Sequence, residues 1–367
     1  MYNMKKITAI LFVFVWSVGA NAQTLKPGFS KEECIELLKV GANFGDSAYK
    51  STIPAPANYH RIYHSPEMGL ENIWELWINK PGTVGVLSVR GTTSKAVSWL
   101  ANFYAAMVPA KGELQLSDSF HFSYNLADNP RAAVHIGWLI CTAFLSRDML
   151  PKIDSLYKAG IKDLIITGHS QGGGIAYLLT AYLYNLQKEG RLPADIRFKT
   201  YSLAGPKPGN IFFAYDYEAM TRYGWAYNVV NSADWVPQSM FTAQTADDFN
   251  NTNPFINAKK MISKLSFPKN LVLRHFYNQM DKPTKKAEKR FRECLGNMVS
   301  KYVMKALPGF IPPVYVHSFD YVRTGNYIVL LADEAYYKIY PDNPNTLFVH
   351  HFHAPYLYLA DKLPATP

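Results

Sequence analysis

The sequence predicts an α/β fold with a mostly parallel central sheet and helices on both faces. Short apolar runs alternate with helical patterns along most of the chain, which is the signature of such a sheet. The 367 residues are 48% hydrophobic and 18% charged, enough apolar material for one large core. There is no internal repeat and no low-complexity tract. Residues 25–50 read as a helical segment, with Cys34, Leu37, Leu38 and Val40 near one face. Residues 73–79 alternate as a strand, with Trp74, Leu76 and Ile78 on one side. Pro81-Gly82 turns the chain, and 83–89 returns as a second strand that feeds Arg90-Gly91-Thr92-Thr93. Residues 94–108 form an apolar segment carrying Trp99, Phe103, Tyr104 and Met107. A helix is predicted over 139–157, kinked at Pro151. A short buried strand at 164–167 and a small-residue helix at 172–187 come next, then buried strands at 198–203 and 226–230.

The N-terminus reads as a cleavable export signal: Lys5 and Lys6, an apolar stretch over 7–18, and Ala20-Asn21-Ala22 before Gln23. A secreted or periplasmic mature chain beginning at Gln23 is expected, with no transmembrane segment after signal cleavage. The cysteines are Cys34, Cys141 and Cys294. Cys141 falls in an apolar helical pattern and is expected as a buried thiol, while a bridge between Cys34 and Cys294 stays open. Residues 259–305 hold thirteen Lys/Arg against Asp281, Glu288 and Glu293, a surplus equal to the chain's whole formal charge of +10. Within them Ala287, Phe291, Leu295, Met298, Tyr302 and Ala306 recur at helical spacing, predicting one amphipathic helix.

The chemistry-bearing motif is Gly168-His169-Ser170-Gln171-Gly172. It lies between the strand at 164–167 and the helix at 172–187, the context a G-x-S-x-G elbow needs. Such an elbow strains the serine backbone, tolerates only small neighbours, and aims a helix N-terminus at a developing oxyanion. Ser170 is the candidate nucleophile. Asp234, just past the strand at 226–230, is the best acid; Asp216, Asp247 and Asp248 are rivals that no strand visibly delivers. The base must be one of His350, His351 and His353, because a neutral imidazole has to accept from the serine while donating to the acid. His169 flanks the nucleophile and reads as a packed structural histidine. No acidic or cysteine ligands accompany the late histidines, so neither a metal nor a cofactor is expected.

These residues together resemble the class 3 lipases, the fungal-type family with the α/β-hydrolase fold. Val89-Arg90-Gly91-Thr92 resembles the family's oxyanion loop, and Ser98-Trp99-Leu100-Ala101-Asn102 its lid helix. Val134-His135-Ile136-Gly137-Trp138 and 201–210 resemble two further motifs. Residues 230–237 resemble its acid loop, 321–325 the strand before its histidine, and His353-Ala354-Pro355-Tyr356 its terminal H-x-x-Y. Gln171 departs from the usual leucine, and Lys207 matches a usual arginine only approximately. The resemblance implies Ser170 as nucleophile, Asp234 as acid and His353 as base. It implies an oxyanion hole from Thr92 and the Gln171 backbone amide, and a lid carrying Trp99, Leu100 and Phe103. Residues 1–22 would be the signal and 23–367 one catalytic domain, with an insertion at about 240–315. The expected activity is acyl-ester hydrolysis on a lipid substrate. An esterase on soluble or polysaccharide-linked esters is the alternative within enzymes. Against a non-catalytic binding protein stands the complete Ser, Asp and His set. The basic segment 259–305 offers an anionic lipid interface, weighed against a solvated helical face; nucleic acid is not an expected partner.

Overall fold

The computed structural model describes residues 24–45 and 52–364. The export signal expected at 1–22 lies outside the described residues. The N-terminal half comprises α1 (Lys31–Ala42), β1 (Tyr59–His64), β2 (Trp74–Asn79), β3 (Val84–Val89), α2 (Ala96–Phe103), β4 (Met107–Pro109), β5 (Lys111–Ser117), β6 (Phe120–Asn125), β7 (Ala133–His135) and α3 (Ile136–Lys158). Then come β8 (Asp163–His169), α4 (Gln171–Lys188), β9 (Arg197–Leu203), α5 (Ile211–Met220) and β10 (Ala226–Asn231). The remainder holds α6 (Ala258–Ser263), α7 (Lys269–Arg292), α8 (Val299–Ala306), β11 (Asn326–Leu330), α9 (Glu334–Ile339) and α10 (His353–Asp361).

The main sheet runs β1-β2-β3-β8-β9-β10-β11. Its β3, β8, β9, β10 and β11 are mutually parallel, and β1 and β2 join antiparallel at one edge. The strands read as near-continuous apolar runs because both faces are covered. Leu87 and Val89 of β3 and Leu164 and Ile166 of β8 face a core with Leu139, Ile140, Leu178 and Leu179 of α3 and α4. The intervening Val84, Val86 and Ile165 face a second core with Leu37 and Leu38 of α1 and Leu359 of α10. The β2–β3 turn is closed by Asn79, whose Oδ1 accepts the N–H groups of Thr83 and Val84 at 2.8 Å each. The mostly parallel sheet sandwiched by helices is the α/β architecture expected.

Three local expectations need correction. The apolar stretch 94–108 is not one element. Helix α2 stops at Phe103, and Met107 and Val108 enter β4, which pairs with β7. Pairing of Met107 against His135 and of Val108 against Val134 leaves both residues fully buried. The strand expected at 321–325 instead begins at Asn326, in parallel register with β10. The amphipathic helix is interrupted by a π-helical segment, Glu293–Met298. Its wider turn rotates the downstream helix α8 about the axis, so Ser300 and Val303 are buried while Met298 and Tyr302 are exposed. Cys34 is buried and Cys294 exposed, and all three cysteines are free thiols.

Candidate active site

Ser170 sits between β8 and α4 with φ +62° and ψ −124°, a conformation costly for a residue with a side chain. Its N–H donates to the Leu203 carbonyl at 2.9 Å, pinning the elbow to β9. The flanking glycines are demanded by close approach. A Cβ on Gly168 would stand 2.4 Å from the Gly172 carbonyl carbon, and one on Gly172 would stand 2.3 Å from the Val89 oxygen. Gln171 opens α4, where the first N–H groups lack intrahelical acceptors and the macrodipole presents about half a positive charge.

Asp234 follows β10 and is fully buried. Its Oδ1 accepts the Val236 N–H at 3.0 Å. Its Oδ2 accepts the Tyr356 hydroxyl at 2.8 Å and faces His351 Nδ1 at 2.7 Å. Burial, and then the charge of Asp234, push the Tyr356 phenol well above its ordinary range, so it remains a donor. A carboxylate beside Nδ1 places the imidazole proton there and leaves Nε2 as the acceptor. Nε2 of His351 is buried with no hydrogen-bond partner among the described residues. His351 and Ser170 line the same cavity. Asn231 ties the two loops together: its Nδ2 donates to the His350 carbonyl at 2.9 Å and its Oδ1 accepts the Ala233 N–H at 3.0 Å.

The structure therefore brings His351 onto Asp234, not His353, the base implied by the terminal H-x-x-Y spacing. That spacing does find Tyr356, which reaches the acid. His353, however, is the first residue of α10. Its ring lies 4.2 Å from that of His169, and its Nε2 occupies space beside Gly41 that a Cβ there would contest at 2.9 Å. Burial, reinforced by His351, lowers its pKa from the ordinary 6.5 to about 3. His351, in the turn before the helix, has the reach that His353 lacks. His350 bonds Tyr336 at 2.8 Å through Nδ1 and Asp342 at 3.0 Å through Nε2. His169 is buried against His351, His353 and Tyr356, and burial holds its pKa well below the ordinary value. Of the rival acids, Asp216 accepts the Asn129 N–H, Asp247 pairs with Lys285, and Asp248 takes Ser318 and Thr245.

Sequence reasoning missed Asn102. Its Nδ2 donates to Thr92 Oγ1 at 2.9 Å, which leaves the Thr92 hydroxyl hydrogen to point elsewhere. Its Oδ1 accepts from Gln171 Nε2 at 3.0 Å and Trp138 Nε1 at 3.2 Å, and its carbonyl lies 3.1 Å from His135 Nε2. Gln171 also donates to the Ser98 carbonyl at 3.0 Å. The glutamine standing where leucine is usual thus fastens α2 to the elbow. The available signal was a lone amide in an otherwise apolar helix.

A cavity of about 1170 Å³ spreads over Ser170 and His351. Trp99 and Phe103, stacked at 5.8 Å, form part of its wall with Trp235 and Phe348. Leu100, expected beside them, packs instead against the main core. Lys207 also reaches the cavity, and partial burial lowers its pKa. Among the described residues no group of His, Cys, Asp or Glu is disposed to hold a metal ion.

A strained serine on a strand-to-helix elbow, at the centre of a mostly parallel sheet covered on both faces, defines the α/β-hydrolase fold. Residues 86–244 match the family model "Lipase (class 3)". Over this segment the chain is similar to the class 3 lipases, a family of carboxylic-ester hydrolases. No curated protein sequence matches the chain. Among solved structures it is similar to a Rhizomucor miehei lipase in complex with its propeptide (20% identity, TM-score 0.41, 58% of this chain and 65% of that one). It is also similar to the Lip2 lipase of Yarrowia lipolytica (19%, 0.43, 59% and 76%) and to lipase II of Rhizopus niveus (22%, 0.41, 57% and 74%).

Proposed function

We propose that the chain is an exported serine hydrolase of lipid acyl esters, with Ser170 as nucleophile, His351 as general base and Asp234 as its partner. The observation that carries this is the Asp234–His351 contact, with the unsatisfied His351 Nε2 in the cavity that also exposes Ser170. Ser170 Oγ attacks the ester carbonyl carbon while His351 Nε2 takes its proton. The carbonyl oxygen becomes an oxyanion and accepts hydrogen bonds from the Gln171 backbone amide and the Thr92 hydroxyl. Collapse breaks the carbon–oxygen bond to the alcohol, which leaves with the proton from His351. Water then attacks the acyl-serine by the same proton route, giving the carboxylic acid and restoring Ser170. Asp234 holds the Nδ1 tautomer and stabilises the imidazolium. Val236 and Tyr356 hold Asp234.

Trp99 and Phe103 supply an apolar wall for the acyl chain. Because Gln171 and Asn102 fasten α2 to the elbow, we assign α2 as a fixed wall and not a freely moving lid. The test is hydrolysis of a p-nitrophenyl ester series and of emulsified triglyceride by the purified protein and its Ser170→Ala variant. Loss of at least about 10³-fold at unchanged Tm is expected. Activity retained in the variant overturns the nucleophile assignment.

A further inference from the structure

Helices α6 and α7 form a hairpin whose outer part no other element buries among the described residues. Asp281 fastens its base, lying 3.4 Å from Lys259 of α6 and 3.2 Å from Lys285 of α7. Asp281 is also the first buried residue of α7, so none of 269–280, about 18 Å of helix, is buried. Phe255, Ile256, Met261, Phe267, Leu271 and Phe276 stand there between 38% and 77% exposed. Lys259, Lys260, Lys264, Lys269 and Arg274 are interleaved with them, and no acidic residue occurs from 249 to 280. Contiguous apolar surface of this kind marks a contact surface.

We infer that this hairpin docks the protein onto an anionic lipid surface. Apolar side chains interleaved with lysines suit the boundary between headgroups and acyl chains, where the rings enter and the ammonium groups meet anionic headgroups. Among the described residues no helix is long and apolar enough to cross a membrane, so the hairpin lies in the interface and does not span it. A second copy is a poor occupant, since each hairpin would set its cations against those of the other. Nucleic acid offers nothing to the exposed rings. At the other end of α7, Phe291 stacks 6.0 Å from Phe241, a residue of the cavity wall. The docking element and the cavity wall are thus joined by one helix, α7.

The experiment is co-sedimentation of the purified chain with phosphatidylcholine vesicles, with and without 30% phosphatidylglycerol (about one lipid in three), in low and high salt. Two variants are compared: Lys260→Glu/Lys264→Glu/Lys269→Glu, and Phe267→Ser/Leu271→Ser/Phe276→Ser. Hydrolysis of a water-soluble ester, measured in parallel, reports folding. Binding to anionic vesicles at least tenfold tighter than to neutral ones is expected, and it should weaken in high salt. Each lost cation should cost about fivefold, so the charge variant loses at least about 100-fold. The apolar variant should lose affinity at either salt concentration, with soluble-ester rates unchanged in both. Equal binding to both vesicle types, no binding, or unaltered binding by either variant overturns the inference. So does a wild-type dimer that the apolar variant converts to monomer. Vesicle binding without any esterase activity would instead defeat the proposed chemistry and leave the docking surface standing.

Discussion

Replacing Asp234 by asparagine should stop turnover without unfolding the protein, through a single misplaced proton. Three donors converge on the Asp234 carboxylate: the Val236 N–H on Oδ1, and the Tyr356 hydroxyl and His351 Nδ1 on Oδ2. An amide offers only one oxygen. If its NH2 faced Val236, two buried donors would oppose each other, at a cost of about 1–3 kcal/mol. The amide oxygen therefore keeps Val236, and the NH2 faces Tyr356 and His351. The Tyr356 hydroxyl can rotate to accept. His351 can accept only by moving its proton from Nδ1 to Nε2, and a protonated Nε2 cannot take the proton of Ser170. The same substitution in other serine triads lowers kcat about 10⁴-fold, or about 5 kcal/mol of barrier. The assay is kcat for a soluble p-nitrophenyl ester, paired with thermal unfolding to show that Tm holds within a few degrees. A folded Asp234→Asn variant within tenfold of the parent kcat would refute the tautomer argument and, with it, the role of His351.

Three further outcomes are expected. His351→Ala should cost about 10³-fold or more in kcat, whereas His353→Ala should keep kcat within tenfold and lose about 2–3 kcal/mol of stability from an emptied buried site; the reverse pattern in kinetics and urea melts returns the base to His353. Asn102→Leu should lower kcat about 10–100-fold with little change in KM, because Thr92 loses the partner that orients it; a raised KM at constant kcat counts against that role. Acid should destabilise the fold through buried neutral histidines. His135 and His353 are lowered from 6.5 to about 3 by burial, and burial also holds His169 well below its ordinary value. The unfolded chain takes up these protons first as pH falls below about 6.5, so stability present at neutral pH is lost progressively down to about pH 3, by about 1.4 kcal/mol per pH unit for each histidine. His353→Gln should flatten the urea-melt slope between pH 6 and 4 by that amount, and an unchanged slope would defeat the explanation.

The sequence made the sheet legible because its parallel strands are covered on both sides, so Val84 to Val89 and Leu164 to Ile166 read as unbroken apolar runs. The elbow was legible because its constraint is local: Gly168 and Gly172 meet neighbouring backbone, and nothing larger fits. The histidine that meets Asp234 was not, because that contact lies across 117 residues. Spacing alone sees three histidines within four positions and cannot know that α10 starts at His353. Asn102 was invisible for the same reason, since its partners lie on the loop at Thr92, on α3 and on α4. The limit of α2 was missed because Ala105 to Val108 are as apolar as the helix before them, and only the pairing of Met107 and Val108 with β7 makes those two strand. The wide turn at Glu293–Met298 changes which face is buried without leaving a compositional mark.

The long separation between Asp234 and His351 also bears on the timing of biosynthesis. A nascent chain translated as far as β11 already possesses the elbow serine, Thr92, Asn102 and the acid loop. It lacks His351, together with Tyr356, which bonds the acid. Both arrive with α10, which settles against α1 and is clasped there by Lys31, whose Nζ donates to the carbonyls of Asp361 at 2.7 Å and Leu363 at 2.6 Å. The first and last helices of the described chain must therefore meet before the reaction centre is whole. On the roles proposed for Ser170, Asp234 and His351, hydrolytic competence would then depend on the two ends of the described chain having come together.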